Sequence, residues 1–268
     1  VNASETVRIA CWQPEWVTGR AHHDEFLGRL EQVAAAAAGG GAGLLVTPEM
    51  SATGYHLGRA RTAELAQPAD GPLAEAVARI AARHRLAIVY GWPESDGDDV
   101  YNSVHLVGAD GTVAARYRKT HLYSDVDRTV FAAGDDLVVQ ADVGGLTAGL
   151  IVCYDVEFPE TVRAHALAGT ELLIVPTALV RPWEFVARTL IPARAFESQL
   201  FIAYVNWHSS SPDGYCGLST VIGPDGHPRA EVSGDLLFAD AGRATLVAAR
   251  LATPYLPDRR PELYGGAR

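Results

Sequence analysis

The 268-residue chain predicts an α/β fold built as one domain, with a mixed sheet or two sheets. Three observations carry this. Short apolar runs of strand length, roughly ten to twelve of them, alternate with about four stretches of helical apolar spacing. The early runs are ordered strand–helix–strand and the late ones as hairpins. No proline-rich or low-complexity linker divides them, and no repeat of fixed period is present. Residues 1–268 therefore read as a single unit. Its last segment, 254–268, is rich in proline and charge and is expected on a surface or against a partner subunit.

In chain order, residues 7–13 predict a strand, dense in apolar side chains around Cys11. Residues 22–38 predict a helix with one apolar stripe, Phe26, Leu27, Leu30, Val33, Ala34 and Ala37. The glycine-rich run at 39–43 follows a helix and precedes a strand. That is the wrong order for a phosphate loop, so it reads as a helix stop and turn. A buried strand at 44–47 ends in Pro48-Glu49, and a polar connection leads to a second amphipathic helix at 72–85. Strands follow at 86–92 and 101–107. Asp110-Gly111 marks a hairpin into a strand at 112–118, which runs straight into Lys119. Residues 124–136 are acidic and lack periodicity.

Strands at 137–141 and 146–152 come next, the second delivering Cys153. Pro159-Glu160 opens a helix at 158–168, stopped by Gly169. A strand at 172–175 ends at Pro176, and residues 183–199 predict a helix interrupted or kinked at Pro192. A strand at 200–205 and a loop at 206–214 follow. Strands at 218–222, 229–232, 236–239 and 244–249, with a turn at Pro224-Asp225-Gly226, complete the pattern.

Composition bounds the function. Hydrophobic content of 48% and charged content of 20% describe an ordinary globular protein whose core needs no disulfide or metal. A net charge of −10 without any basic run argues against nucleic acid and anionic membrane as partners. No segment approaches a membrane span, and residues 1–6 lack the basic region of a secretory signal. Cys11, Cys153 and Cys216 are odd in number and irregular in spacing, which fits neither a disulfide framework nor a zinc site. The expected location is a reducing cytoplasm.

Glu49, Lys119 and Cys153 share one kind of position, at or just past the C-terminal end of a predicted buried strand. Reacting groups gather there in α/β folds. Cys153 also sits at a strand-to-helix corner, where backbone N–H groups and a helix N-terminus favour thiolate. Each residue alone has a bland reading, as a loop carboxylate, a basic edge or an inert core thiol. Together they form a chemical set. A carboxylate can take a thiol proton, an ammonium can meet a developing oxyanion, and a thiolate can attack a carbonyl or nitrile carbon.

These segments resemble the nitrilase superfamily, the carbon–nitrogen hydrolases. Its three signatures occur in order: Pro48-Glu49 with Thr53-Gly54-Tyr55, Tyr117-Arg118-Lys119-Thr120-His121-Leu122, and Cys153-Tyr154-Asp155 with Phe158-Pro159-Glu160. Further matches at Val175-Pro176-Thr177-Ala178, Arg194-Ala195-Phe196-Glu197 and Pro224-Asp225-Gly226 extend the resemblance over nearly the whole chain. The resemblance implies a four-layer α-β-β-α sandwich, a homodimer or higher homo-oligomer, a small-molecule amide substrate, and no metal or organic cofactor. It implies Glu49 as general base, Cys153 as nucleophile, Lys119 as the cation stabilising the tetrahedral intermediate, and the Tyr154 backbone N–H as second oxyanion donor. The subunit contact is expected around the Cys153 segment, residues 184–199 and the tail.

Two departures refine this. Where many relatives carry a second active-site glutamate, this chain has Asp127, with Asp125 as a competing position. Relatives acting on carboxylate-bearing substrates often have arginine shortly after the nucleophile, where this chain has Glu157. Cys153-Tyr154-Asp155 also differs from the Cys-Trp-Glu usual in true nitrilases. The closest likeness is to the aliphatic and stereoselective amidases, through Asp125-Val126-Asp127-Arg128. Tyr55, Tyr123, Glu157, Trp183 and Trp207 are expected in the substrate pocket. His121, oriented by Asp155 or Asn206, offers a Cys–His alternative, although Glu49 and Lys119 already supply the needed chemistry. The expected activity is hydrolysis of a small neutral or cationic carboxamide through a cysteine thioester. Hydrolysis of N-carbamoyl amino acids, nitrilase activity and a catalytically silent binding protein are the alternatives.

Overall fold

The protein is described by a computed structural model covering residues 6–16, 23–210 and 214–264. Twelve strands are found there: β1 Thr6–Trp12, β2 Leu44–Val46, β3 Ala87–Asp96, β4 Asp99–Val107, β5 Val113–Arg118, β6 Val139–Val143, β7 Leu146–Leu150, β8 Leu172–Pro176, β9 Phe201–Val205, β10 Thr220–Ile222, β11 Glu231–Ser233 and β12 Leu236–Gly242. The helices are α1 His23–Gly39, α2 Arg59–Leu65, α3 Pro72–His84, α4 Ser124–Arg128, α5 Pro159–Leu167, α6 Ile191–Ser198 and α7 Arg243–Ala252.

The strands form two mixed sheets, one of seven in the order β11-β12-β1-β2-β3-β4-β5 and one of five in the order β10-β9-β8-β7-β6. The central strands β1, β2 and β3 run parallel, as do β7, β8 and β9. Both triplets are almost continuously apolar, because parallel strands are covered on both faces. Side-chain alternation then assigns the layers. Ile9, Cys11, Leu44, Val46 and Val89 pack with Leu146, Leu150, Ile174 and Ala203 between the sheets. The intervening Ala10, Trp12, Leu45, Ile88 and Tyr90 pack outward on Phe26 and Leu30 of α1 and Leu73 and Val77 of α3. Val162 of α5 and Ile191 and Ala195 of α6 join the core on the other side. The result is the expected helix–sheet–sheet–helix sandwich.

Most expected elements occur within a residue or two of their reading. His22, the expected start of the first helix, lies outside the described residues. The expected strand at 244–249 is instead part of helix α7. Its alanines, leucines and arginines are strong helix formers, and Leu246 is the buried residue of a helix that is otherwise exposed or half-buried. A short apolar run cannot separate strand from helix by itself. Helices α2 and α4 fall in stretches read as irregular, being too short to show periodicity. The helix expected at 183–199 is interrupted just before Pro192. A π-helical turn, Val186–Leu190, precedes α6, which puts Pro192 in the first turn, where its missing N–H costs nothing. No described helix is long and apolar enough to cross a membrane. Residues 254–264 are mostly exposed.

Gly91 of β3 sits under the turn that follows β2. A Cβ at this position would lie 2.7 Å from the Met50 backbone nitrogen and 3.4 Å from the Glu49 carbonyl carbon, and backbone cannot swing aside as a flexible side chain can. Gly91→Ala is expected to displace the Glu49 turn and to cost about 1–3 kcal/mol of stability. Urea unfolding checks this; an unchanged midpoint together with unchanged activity would contradict it.

Candidate active site

Each chemistry-bearing residue is delivered by a strand end. Glu49 lies three residues beyond β2, Lys119 follows β5 directly, and Cys153 opens a 3-10 turn, Cys153–Glu157, shortly after β7. The two sheets meet here, since the Glu49 N–H donates to the Thr177 carbonyl just past β8 (3.3 Å). Cys153 has φ +47, the left-handed region that side-chain-bearing residues rarely adopt. Such a conformation costs about 1–3 kcal/mol and is held by its surroundings.

Lys119 is buried and bridges two buried carboxylates. Its Nζ donates to Glu49 Oε1 at 2.8 Å and to Asp127 Oδ2 at 2.8 Å. Burial alone would disfavour the ammonium, but the surrounding negative groups, Glu49 foremost, outweigh it and hold Lys119 well above the ordinary lysine value. Burial pushes Glu49 up from its ordinary value against the pull of Lys119. Asn102 of β4 donates from Nδ2 to Glu49 Oε1 (2.7 Å), and the Asn102 carbonyl accepts the Lys119 N–H (2.9 Å). Glu49 Oε2 is buried and has no hydrogen-bond partner among the described residues. One carboxylate oxygen is thus saturated and the other is open to a reacting proton.

Asp127 occupies the fourth-acid position. It accepts from the Tyr55 hydroxyl through Oδ1, and from Lys119 Nζ and the Tyr123 N–H (2.9 Å) through Oδ2. Asp125 is exposed and takes no part. Tyr55 lines the pocket whereas Asp127 does not, so the shorter acid reaches the cavity through the tyrosine hydroxyl.

Asp155 ties the nucleophile turn to the lysine segment. It is buried and accepts from the Tyr117 hydroxyl (2.8 Å), the Thr120 hydroxyl (2.9 Å), the His121 N–H (2.8 Å) and the Val152 N–H (3.1 Å). His121 Nδ1 also lies 2.8 Å from Asp155, and its ring stacks on Phe158 (4.0 Å) outside the pocket lining. Asn206 is engaged by the Leu179 N–H and carbonyl and by the Gly217 carbonyl. The Cys–His alternative thus loses both its histidine and its orienters. The corner does not stabilise thiolate on its own, contrary to the sequence reading. Burial, reinforced by the Glu49 charge, pushes the Cys153 thiol up, while Lys119, the Ala178 backbone and the Thr177 side chain pull weakly the other way. The resting thiol is protonated and needs a base.

The pocket holds about 250 Å³, the scale of a small molecule. Glu49, Lys119 and Cys153 line it together with Tyr55, Tyr123, Tyr154, Glu157 and Trp183. Ala178, Leu179, Val180 and Val186 form an apolar wall. Tyr154 is the second residue of the 3-10 turn, where an N–H lacks an intrahelical acceptor. Trp207 is not in the lining. It is buried behind the turn and donates from Nε1 to the Glu49 carbonyl (2.9 Å), a supporting role the loop assignment at 206–214 did not reveal. His56 and Asn102 escaped the sequence reading. Burial holds the His56 imidazole below its usual value. The available signal for Asn102 was a polar amide inside an apolar strand run, where asparagine is disfavoured.

A larger open groove of about 640 Å³ lies elsewhere, bordered by Glu94, His105 and Arg116. Glu94 there is saturated by Ser103, Arg116 and Arg118, and no thiol lines it. Among the described residues, no group of three or more His, Cys, Asp or Glu side chains could hold a metal ion.

A thiol that must borrow its base from another sheet, on a helix-flanked pair of sheets, defines the nitrilase type of hydrolase. The chain belongs to the carbon–nitrogen hydrolase family, which residues 8–236 match. Among characterised relatives, it is 36% identical over 236 residues to an (R)-stereoselective amidase of a Pseudomonas species, covering 87% of this chain and 85% of that one. It is 31% identical over 228 residues to the 2-oxoglutaramate amidase of Bacillus subtilis, covering 83% and 87%. Its structure superposes on an amidase from Nesterenkonia sp. with a TM-score of 0.80 at 31% identity, covering 98% and 97% of the two chains. A glutamate-to-glutamine mutant of that amidase (TM-score 0.80, 30% identity, covering 100% and 98%) shows the acetamide moiety of fluoroacetamide covalently added at the active-site cysteine.

Proposed function

We propose that the protein is an amidase that hydrolyses a small neutral or cationic carboxamide to a carboxylic acid and ammonia through a thioester on Cys153. The observation that carries this is the open oxygen of Glu49 in the same pocket as a protonated, partly accessible thiol. Glu49 takes the Cys153 proton as sulfur attacks the amide carbon. The carbon–oxygen double bond opens, and the oxyanion is met by Lys119 Nζ and the Tyr154 N–H. The intermediate collapses, the carbon–nitrogen bond breaks, and the proton held by Glu49 leaves with nitrogen as ammonia. Water then enters, Glu49 removes its proton, and hydroxide adds to the thioester carbon. Breaking the carbon–sulfur bond releases the acid and returns the proton to Cys153. Tyr55, backed by Asp127, is placed to orient the amide or the water. Only side chains, backbone and water take part.

The relatives named as amidases support this over nitrile hydrolysis or a silent binding protein. Glu157 in the pocket speaks against the N-carbamoyl amino acid reading, because a substrate carboxylate would face it. A thiol nucleophile and three free cysteines fit a reducing cytoplasm, and a net charge of −10 does not favour nucleic acid or anionic membrane as a partner. Exposed Phe196, Leu251, Tyr255, Leu263 and Tyr264 on α6, α7 and the tail support a homo-oligomer with the 254–268 tail of the single domain at the contact, of which 265–268 lie outside the described residues.

Cys153→Ala should lower kcat/KM for amides about 1,000-fold or more while keeping the melting temperature. Mass spectrometry of quenched wild-type enzyme should show an acyl adduct on Cys153. Full activity in the alanine variant would refute the mechanism. The pH profile follows from Glu49, which works as a base only when ionised. Its raised value means that kcat/KM should fall with decreasing pH through a midpoint above the ordinary glutamate value of 4.5. That midpoint belongs to the coupled Glu49–Lys119–Asp127 group, and a midpoint at or below 4.5 would contradict the assignment. Sedimentation velocity should give a species of two or more chains; a single-chain species at micromolar concentration would count against the contact.

A further inference from the structure

Of the acidic and basic side chains that line the pocket, Glu49 and Lys119 are paired with each other, and Glu157 is the carboxylate left outside that pairing. Glu157 closes the 3-10 turn that Cys153 opens, lines the same cavity, and is half-buried. Among the described residues its carboxylate has no hydrogen-bond or ion-pair partner. The guanidinium whose charge reaches it, Arg194, is committed to the carbonyls of Val156 (3.3 Å) and Glu157 (2.9 Å) and to the side chain of Glu197 (2.9 Å). The Glu157 charge is felt inside the site, by Lys119 and by Tyr204.

The charge balance points the same way. One ammonium, Lys119, contacts Glu49 and Asp127, and Glu157 lines the same pocket as a third carboxylate. Lys119 is hydrogen-bonded to the first two and reaches the third only through its field. His56 does not help, because burial disfavours its cationic form. The apolar lining residues Leu179, Val180 and Val186 offer no polar group in their side chains. Desolvation pushes the Glu157 carboxyl up, and the charges of Lys119 and Arg194 offset it only in part. A cation entering the pocket would complete that offset. A neutral chain would leave the carboxylate desolvated and unpaired, and a second carboxylate would be repelled.

We propose that Glu157 selects the substrate by receiving an ammonium carried on the acyl chain of the amide, so that the preferred substrates are small amino amides. This deepens the amidase reading and rests on it. The turn geometry sets the arrangement. Cys153 and Glu157 stand at the two ends of one five-residue turn, so the reactive carbon and the ammonium are held by a single rigid element.

The test uses sets of three amides of equal length whose acyl chain ends in an ammonium, a methyl or a carboxylate: β-alaninamide, butyramide and succinamate, with the sets one methylene shorter and longer. Ammonia release gives kcat/KM for each. The wild-type enzyme should prefer the ammonium member over the methyl member on the order of tenfold at its best chain length, with the carboxylate member last. Glu157→Gln should bring the ammonium-to-methyl ratio to within about twofold of one, and Glu157→Lys should favour the carboxylate member. A ratio taken on one sample does not depend on how much of the variant is folded. A wild-type ratio of one or less at every length, or a ratio that survives Glu157→Gln, overturns the proposal. The same amides titrated calorimetrically into Cys153→Ala, with and without Glu157→Gln, separate the two readings. Glu157-dependent binding of the ammonium members without turnover by the wild type would sink the amidase reading and keep the charge assignment. Turnover without charge preference would do the reverse.

Discussion

The site depends on one buried ammonium held between two buried carboxylates. Lys119 bonds Glu49 and Asp127 at 2.8 Å each, with all three side chains withdrawn from water. Desolvating such charges is tolerable only when each finds its counter-charge and hydrogen bonds, and removing one partner of a buried pair costs about 3–5 kcal/mol. Here the ammonium lies between elements distant in sequence, the turn after β2 and helix α4. The same contacts leave one oxygen of Glu49 without a partner. The group that fixes the active-site corner of the sandwich therefore also sets the protonation state of the base.

The Cys153 turn is held by a second, separate polar unit. Asp155 accepts from Tyr117, Thr120, His121 and Val152, so the segment that carries Lys119 and the turn that carries Cys153 are fastened together. This restraint offsets the left-handed backbone of Cys153. It also explains why the thiol is presented without being ionised. Burial and the nearby Glu49 charge raise it more than Lys119, the Ala178 backbone and the Thr177 side chain lower it, so in the proposed mechanism reactivity waits for proton transfer to Glu49. Asp127 acts from behind the wall through Tyr55, and Trp207 fastens the Glu49 carbonyl from the other side.

Much of this was legible in the residues. The positions of Glu49, Lys119 and Cys153 after apolar strand runs follow from period and punctuation, since buried parallel strands are short and continuous and their ends are polar. The sandwich layers follow from alternation in β1, β2 and β3. The misreadings share a cause. Residues 244–249 form a run too short for its period to be measured, so it is helix rather than strand because of helix-forming composition and a partner surface for Leu246. Helix α4, only five residues long, exists in a stretch without periodicity, with Asp127 drawn to Lys119 and Tyr55. Asn102, His56 and Trp207 were missed or misplaced because what each does is set by a contact rather than by its neighbours in sequence.

The sequence by itself determined the class of fold, the strand-end positions of Glu49, Lys119 and Cys153 and the lack of a basic run, because these depend on residue type and on spacing along the chain. Only the tertiary structure decided which acid stands beside Lys119, that Asp125 faces away, that His121 belongs to Asp155, that the Cys153 thiol rests protonated, and that Glu157 faces the pocket without a partner. Those outcomes depend on distances between segments and on the loss of water around charges. Neither quantity exists until the two sheets have packed.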